Sequence, residues 1–104
     1  MKAPVFGQFS QWRDTAQVNA ETARDLDSRL ELRARAEDEA AAREEYLRLL
    51  GVSPGERVLD IGCGSGVVTR AIARRVVPGG RAVGVDASPA LLALARQHAE
   101  EAGL

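Results

Sequence analysis

Three glycines at alternate positions, placed directly after a short apolar run, form the segment of this chain best suited to chemistry. Gly62, Gly64 and Gly66 follow the apolar run 58–61, which contains Asp60. Glycine is used where the backbone takes a positive φ or must come into contact with a ligand. The residues after the loop repeat apolar side chains every four positions, as one face of a helix does: Val68, Ile72 and Val76. The pattern predicts a strand, a glycine turn and a helix around a small-molecule ligand.

The residues beside the glycines separate three kinds of glycine loop. A nucleotide triphosphate loop needs Lys and then Ser or Thr after its last glycine, whereas this chain has Val67 and Val68 there. A dinucleotide loop needs its third glycine at the position that Val67 occupies. The Asp60 carboxylate would also repel a pyrophosphate and attract an ammonium or sulfonium group. A cationic ligand is therefore favoured, and a nicotinamide-dependent oxidoreductase is the less favoured alternative.

Two segments of the chain resemble the class I (Rossmann-like) S-adenosylmethionine-dependent methyltransferases. The first is LGVSPGERVLDIGCGSG at 50–66, and the second is PGGRAVGVDASP at 78–89, which resembles that family's second strand with its terminal acid and the start of its second helix. Together they comprise 29 of the 104 residues. Their general character is similar to that of the small-molecule methyltransferases of ubiquinone and menaquinone biosynthesis. The resemblance implies S-adenosylmethionine as cofactor and a small molecule as methyl acceptor.

The resemblance also implies roles for individual residues. The backbone of Gly62 and Gly64 would lie against the methionine part of the cofactor, and Asp60 would hold its amino group. Asp86 lies 20 residues after Gly66 at the end of an apolar run, where its carboxylate would accept hydrogen bonds from both ribose hydroxyls. The adenine would lie along the residue after it. The predicted cofactor site comprises Asp60, Gly62, Cys63, Gly64, Gly66, Asp86 and Ala87.

Several chemically capable residues have simpler interpretations. Asp86 is also a suitable turn residue to cap the next helix. Cys63 has the position for a low-pKa thiolate near a helix N-terminus, but a small residue that fills the turn is the preferred interpretation. We expect His98, the only histidine, to be a solvated helix residue. We also expect a solvated arginine face on the first helix after the loop, formed by Arg70, Arg74 and Arg75. No residue is assigned a catalytic role, because such groups come from later strands in the family.

Strong helix formers fill the chain from Thr15 to about Leu50 without a proline or glycine. The composition predicts helix, with a break near Glu37 and a second helix that ends at Gly51. We expect that second helix to pack against the sheet through its apolar residues, which are Tyr46, Leu47, Leu49 and Leu50. Ser88 followed by Pro89 predicts the start of a further helix.

The predicted fold is α/β, a partial Rossmann-like methyltransferase fold with its first two parallel strands and their helices. Residues 1–50 are predicted to form a helical segment, and residues 51–104 the first half of the cofactor-binding domain. The apolar run 58–61 is typical of a strand buried on both faces of a parallel sheet. Here such a strand would keep one unpaired edge, which favours self-association. We therefore expect the sequence to be the N-terminal part of a methyltransferase.

Three aromatic residues near the N-terminus suggest a second role for the helical segment. Phe6, Phe9 and Trp12 recur at intervals of three and would line one side of a helical turn. In related methyltransferases the segment ahead of the core often closes over cofactor and substrate. Plain packing is the preferred interpretation of this segment, and a lid over cofactor and substrate is the alternative hypothesis.

Composition excludes several classes of function. The chain has 104 residues with 45% hydrophobic and 28% charged residues and a net charge of −1. This balance offers no basic patch for nucleic acid, and no segment is apolar over the 18 or so residues of a membrane span. One cysteine cannot form an intramolecular disulfide, and one cysteine with one histidine cannot make a structural zinc site. We expect a cytoplasmic protein without a metal.

Two classes of function stay open from the sequence. One is an enzyme, or part of one, that methylates a small molecule with S-adenosylmethionine. The other is a non-catalytic module that keeps the cofactor-binding part of the fold and completes its sheet with another polypeptide. Binding of the cofactor distinguishes them in part, because only the first class requires a working site.

Overall fold

The computed structural model describes residues 17–104, which fold into helices around a small parallel sheet. In chain order the elements are α1 (Ala20–Ala34), α2 (Glu37–Leu49), β1 (Arg57–Ile61), α3 (Val67–Val76), β2 (Arg81–Val85) and α4 (Pro89–Glu101). The chain thus passes from one strand through a helix to a parallel second strand, and the predicted α/β fold is confirmed. No helix in this part of the chain is long and apolar enough to cross a membrane.

The first helix begins later than the composition predicts. Residues 17–19 lie outside any α-helix, and α1 starts at Ala20. Asn19 sets this start, because its side-chain oxygen accepts a hydrogen bond from the backbone N–H of Thr22 at 2.8 Å. The break predicted near Glu37 is confirmed, since α1 ends at Ala34 and α2 begins at Glu37. Phe6, Phe9 and Trp12, on which the predicted lid depends, lie outside the described residues.

The two strands pair in parallel from Arg57 with Arg81 to Ile61 with Val85. Their carboxyl ends therefore meet at one edge, where the glycine loop and Asp86 follow. Leu59 and Ile61 are 57% and 79% exposed, so the prediction that β1 is buried on both faces is wrong for the described chain. Side chains alternate between the faces of a strand, and α3 covers the other face.

Two hydrophobic clusters hold the helices in place. In the first, Leu47 of α2 packs with three residues of α3, which are Ala71, Ile72 and Val76. In the second, Leu91 of α4 packs with Ala23 and Leu26 of α1. Burial of apolar surface therefore fixes α2 against α3 and α1 against α4.

The predicted packing of α2 against the sheet is only partly correct. Leu47 is 1% exposed and contacts α3, with Val58 and Ala82 of the sheet at the edge of the same cluster. Tyr46, by contrast, is 40% exposed. Two further residues of the predicted apolar group are 71% and 74% exposed, namely Leu49 and Leu50. Leu47 is therefore the one buried residue of α2, and it anchors the helix mainly on α3.

Candidate functional site

The glycine loop turns directly from β1 into α3. Gly62, Gly64 and Gly66 all have positive φ, at 77°, 55° and 86°, which a side chain with a Cβ would strain. The backbone N–H groups of Gly62 and Cys63 donate to the carbonyl oxygen of Val85 at 2.8 and 2.9 Å. Gly66 is the N-cap residue of α3. The loop is thus a continuation of the β1–β2 pairing, and the glycines predicted from the sequence have the conformations that the prediction required.

Asp86 joins the end of β2 to this loop. Its Oδ2 accepts a hydrogen bond from the backbone N–H of Gly64 at 2.9 Å, and its Oδ1 accepts one from the N–H of Ser88 at 2.9 Å. The cap of α4 is Ser88, as predicted, because its Oγ accepts from the N–H of Leu91 at 3.2 Å. Asp86 therefore does more than begin a turn: it fixes the loop on the neighbouring strand.

Asp60 points towards the first turn of α3. Its Oδ2 accepts a hydrogen bond from the hydroxyl of Thr69 at 2.7 Å. Thr69 was not anticipated from the sequence, although a threonine three residues after the last loop glycine was a usable signal. The contact orients the half-buried carboxylate beside the loop and leaves it with further lone pairs for a ligand.

Cys63 has the electrostatic surroundings of an unreactive thiol. Burial raises its pKa, and the nearby carboxylates of Asp60 and Asp86 raise it further, against a smaller opposing effect of its contact with Thr69. A low-pKa thiolate is therefore disfavoured, and the interpretation as a small residue that fills the turn is supported. The fit depends on Gly84, because a Cβ there would lie 2.9 Å from Sγ of Cys63.

A cavity of about 260 Å³ opens over the loop. Four of the predicted site residues line it, namely Gly62, Cys63, Gly64 and Asp86. The other lining residues are Leu30, Ser65, Val67, Val68 and Leu91. Apolar side chains with one carboxylate and several backbone groups are the usual lining of a small-molecule site. The structure thus brings the two predicted anchors, the loop and Asp86, to one cavity.

Three predicted site residues lie outside the lining of that cavity. Asp60 faces Thr69, and Ala87 is exposed after the end of β2. Gly66 is buried, and a Cβ on it would lie 3.2 Å from Cβ of Ala95 in α4. Gly66 is therefore required for close packing of the loop on α4 as well as for its backbone conformation.

The first helix contributes a residue to the cavity that the sequence did not suggest. Leu30 of α1 lines the cavity, and its Cδ1 would lie 3.6 Å from a Cβ placed on Gly64. A leucine within a long helical pattern carries no local signal for such a contact. Its position is determined by how α1 packs on α4, which only the tertiary structure reveals.

The prediction that Arg70 is solvated is wrong. Its side chain is 12% exposed, and it donates from Nη2 to Glu31 at 2.6 Å and from Nη1 to the carbonyl oxygen of Ser65 at 2.8 Å. The Ser65 hydroxyl donates to the same Glu31 oxygen at 3.3 Å. Arg75 is also partly covered and pairs with Glu44, whereas Arg74 is exposed as predicted.

His98 is likewise not a solvated residue. Its side chain is 23% exposed, and Nε2 lies 2.8 Å from Oδ1 of Asp27, because α1 packs along α4 at this point. Asp27, Glu31 and His98 have ligand atoms within 4.8 Å of one another, a spacing that a metal ion could use. The guanidinium of Arg70 already lies against Glu31, and its positive charge disfavours a cation there.

Comparison with known proteins identifies the family of the chain. A methyltransferase-domain family model matches residues 52–104. The chain is 46% identical over 57 residues to a protein-L-isoaspartate O-methyltransferase of Aeropyrum pernix, which is 55% of this chain and 22% of that protein. It is 47% identical over 51 residues to a ubiquinone biosynthesis O-methyltransferase of Hahella chejuensis, 49% of this chain and 20% of that protein. A demethylmenaquinone methyltransferase of Tropheryma whipplei is 43% identical over 56 residues, 54% of this chain and 22% of that protein.

The solved structures include a similar fold. A SAM-dependent methyltransferase from Aquifex aeolicus superimposes with a TM-score of 0.61 and 26% identity, over 85% of this chain and 44% of that one. The chain spans about a fifth of the length of the curated relatives that it matches. The family model nevertheless covers just over half of the chain, including both strands and the glycine loop. The chain therefore belongs to the methyltransferase-domain family of class I S-adenosylmethionine-dependent methyltransferases.

Proposed function

We propose that the glycine loop and Asp86 bind S-adenosylmethionine, and that the protein transfers its methyl group to a small-molecule acceptor. The observation that carries the proposal is the hydrogen bond of 2.9 Å from the N–H of Gly64 to the Asp86 carboxylate. It joins the two predicted anchors at the carboxyl ends of parallel strands, where open α/β sheets bind their ligands.

The residues present fit the cofactor. Each carboxylate oxygen of Asp86 accepts one backbone N–H and keeps a second lone pair, so that two ribose hydroxyls can still donate to it. Asp60, held by Thr69, offers a negative charge to the amino group of the methionine part. The backbone of Gly62 is open, since no atom lies within 4 Å of an added Cβ, whereas Cδ1 of Leu30 lies 3.6 Å from that position on Gly64. Gly66 lets the loop pack closely on α4. In this proposal Ala87, the residue after Asp86, lies along the adenine.

The protein's contribution to the reaction is position and electrostatics. When bound, S-adenosylmethionine supplies a methyl group on a positively charged sulfur. The carboxylate of Asp86 in the cavity and that of Asp60 beside the loop favour this positive charge, and the fixed loop restricts how the ligand can lie. The Cys63 thiol stays protonated at neutral pH because its pKa is raised, so it does not compete with the acceptor as a nucleophile.

The proposal of a small-molecule acceptor is supported by two of the relatives. The Hahella chejuensis relative is named for ubiquinone biosynthesis, and the Tropheryma whipplei relative is named for demethylmenaquinone. The Aeropyrum pernix relative, in contrast, is named for protein-L-isoaspartate.

Titration of the purified chain tests the proposal. Isothermal titration calorimetry is performed with S-adenosylmethionine, with S-adenosylhomocysteine and with NAD⁺. We expect saturable binding of the first two, at least about tenfold weaker in Asp86→Ala, which corresponds to about 1.4 kcal/mol. The matched control is Asp25→Ala, an exposed carboxylate of α1 that pairs with Arg29. Binding of NAD⁺ in preference to the other two, or equal affinity in Asp86→Ala, contradicts the proposal.

A second candidate function, a module that pairs with another copy of itself, is favoured by the open face of the sheet. Leu59 and Ile61 of β1 and Val83 and Val85 of β2 are at least 40% exposed, and β1 pairs only with β2 among residues 17–104. We propose self-association through this surface. Sedimentation velocity is expected to show a dimer that Ile61→Lys dissociates and the control Leu32→Lys does not, since Leu32 is an exposed residue of α1. A monomer at all concentrations contradicts it.

A further inference from the structure

A part-buried polar network connects α1 to the glycine loop. Glu31 of α1 accepts hydrogen bonds from the Arg70 guanidinium at 2.6 Å and from the Ser65 hydroxyl at 3.3 Å. The guanidinium also donates to the carbonyl oxygen of Ser65 at 2.8 Å. The peptide of Ser65 is therefore held at its side chain and at its carbonyl by two residues of different helices.

The held residue lies at the centre of the loop. Ser65 is 1% exposed and stands between Gly64 and Gly66, both with positive φ. Glycines permit many backbone conformations, so a loop of this composition keeps one geometry only where other groups impose it. Asp86 imposes it through the N–H of Gly64, and Glu31 with Arg70 impose it through the hydroxyl and the carbonyl oxygen of Ser65.

The ion pair between Arg70 and Glu31 is largely shielded from solvent, so its loss should have a measurable cost. The side chains of Arg70 and Glu31 are 12% and 16% exposed, in contrast to the exposed pair of Arg48 and Glu45 at 63% and 57%. Removing one partner of a buried pair leaves the other charge without compensation, whereas an exposed pair contributes little. Leu30, the residue before Glu31 in α1, lines the cavity over the loop. The contacts of Glu31 with Arg70 and Ser65 therefore also help to position this wall of the cavity.

We infer that Glu31 and Arg70 are positioning residues of the cofactor site: they fix the Ser65 peptide, and through it the geometry of the glycine loop, from helix α1. The inference rests on the proposed function for its effect on cofactor affinity. Its structural part, the control of the loop by Glu31, stands independently of any ligand. The two parts therefore need two readouts.

The first readout is amide hydrogen exchange by NMR without ligand. In Glu31→Ala we expect the amides of Gly64 and Gly66 to exchange at least about tenfold faster, because the loop is no longer held from α1. Glu31→Gln, which keeps an acceptor oxygen at the same place, is expected to restore most of the protection and serves if Glu31→Ala fails to fold. The control Ile72→Val weakens the core away from the loop. Unchanged loop exchange in the Glu31 variants, or an equal increase in Ile72→Val, overturns the inference.

The second readout is the affinity for S-adenosylmethionine in a double-mutant cycle. We expect Glu31→Ala and Arg70→Ala each to weaken binding about tenfold, and the double variant to be no weaker than the weaker single one, because both act on one peptide. Glu45→Ala, from the exposed pair, is expected to bind like the wild type. Wild-type affinity in both single variants overturns the inference. If the wild-type chain binds no cofactor, the proposed function fails, and the exchange experiment alone decides whether Glu31 positions the loop.

Discussion

Gly64 donates its backbone N–H to the carboxylate of Asp86 across 22 residues of sequence, at a distance of 2.9 Å. The same carboxylate accepts the N–H of Ser88, so one side chain closes both the glycine loop and the turn into α4. A ligand site whose walls are tied together in this way does not have to be ordered by the ligand, and less binding free energy is lost to ordering.

Asp86 should therefore contribute to stability without any ligand. Asp86→Ala leaves two backbone N–H groups without their acceptor, and we expect the free energy of unfolding to fall by about 1–3 kcal/mol. Asp86→Asn keeps one acceptor oxygen and should lose less. Urea unfolding followed by circular dichroism measures both. Equal stability of Asp86→Ala and the wild type would contradict the structural role of this residue.

The core of α1 against α4 gives a second prediction. Leu26 is fully buried, so we expect Leu26→Ala to lower the free energy of unfolding by about 2–5 kcal/mol through lost burial and a residual cavity. The matched control is Leu49→Ala in α2, where the leucine is 71% exposed and the change should be within about 0.5 kcal/mol. Chemical unfolding of the two variants decides the point, and similar losses in both would show that α1 does not pack as described.

Gly84 provides a test of the contact between the loop and β2. An added Cβ would lie 2.8 Å from Oγ1 of Thr69 and 2.9 Å from Sγ of Cys63, so we expect Gly84→Ala to destabilise by about 1–3 kcal/mol. Combining it with Cys63→Ala removes the contact with Sγ, keeps those with Thr69 and with the Cβ at position 63, which lies 3.0 Å away, and should recover part of the loss. Thermal unfolding of the single and double variants measures the coupling. Simple additivity of the two substitutions would speak against the contact.

The thiol of Cys63 predicts a dependence of stability on alkaline pH. Burial, with the charges of Asp60 and Asp86, raises its pKa in the folded state, so the folded protein holds this proton more tightly than the unfolded chain. This contribution is complete below the ordinary thiol pKa of about 8.5 and is lost as the pH rises through the higher folded value. We expect Cys63→Ala to lose less stability than the wild type between neutral pH and alkaline pH, as measured by urea unfolding. Parallel pH profiles of the two proteins would contradict the shift.

The glycine loop and Asp86 could be recognised in the sequence because their signals are local. Positive φ requires glycine at positions such as Gly62, and a carboxylate at the end of an apolar run marks Asp86. The network around Arg70 could not be predicted, since Glu31 lies 39 residues away and an arginine on a helix ordinarily faces solvent. His98 illustrates the same limit, because its partner Asp27 is 71 residues distant.

The boundaries of two helices could be predicted from local residues, whereas the burial of a strand could not. The break before Glu37 and the start of α4 at Ser88 follow from local residues, and both are confirmed. The burial of β1 was predicted wrongly. An apolar run indicates that the side chains of a strand are suited to burial, but it does not indicate whether another element packs against them. Ile61, at 79% exposed, shows the difference.

The packing of α1 on α4 has a consequence for how the molecule unfolds. Leu91 owes its burial to Ala23 and Leu26, and His98 is bonded to Asp27, so the last helix is held by the first rather than by its own strand. Loss of α1 would expose the apolar side of α4 and release Glu31 from the loop in the same event. Helices α1 and α4 should therefore lose their protection from hydrogen exchange together, as one cooperative unit.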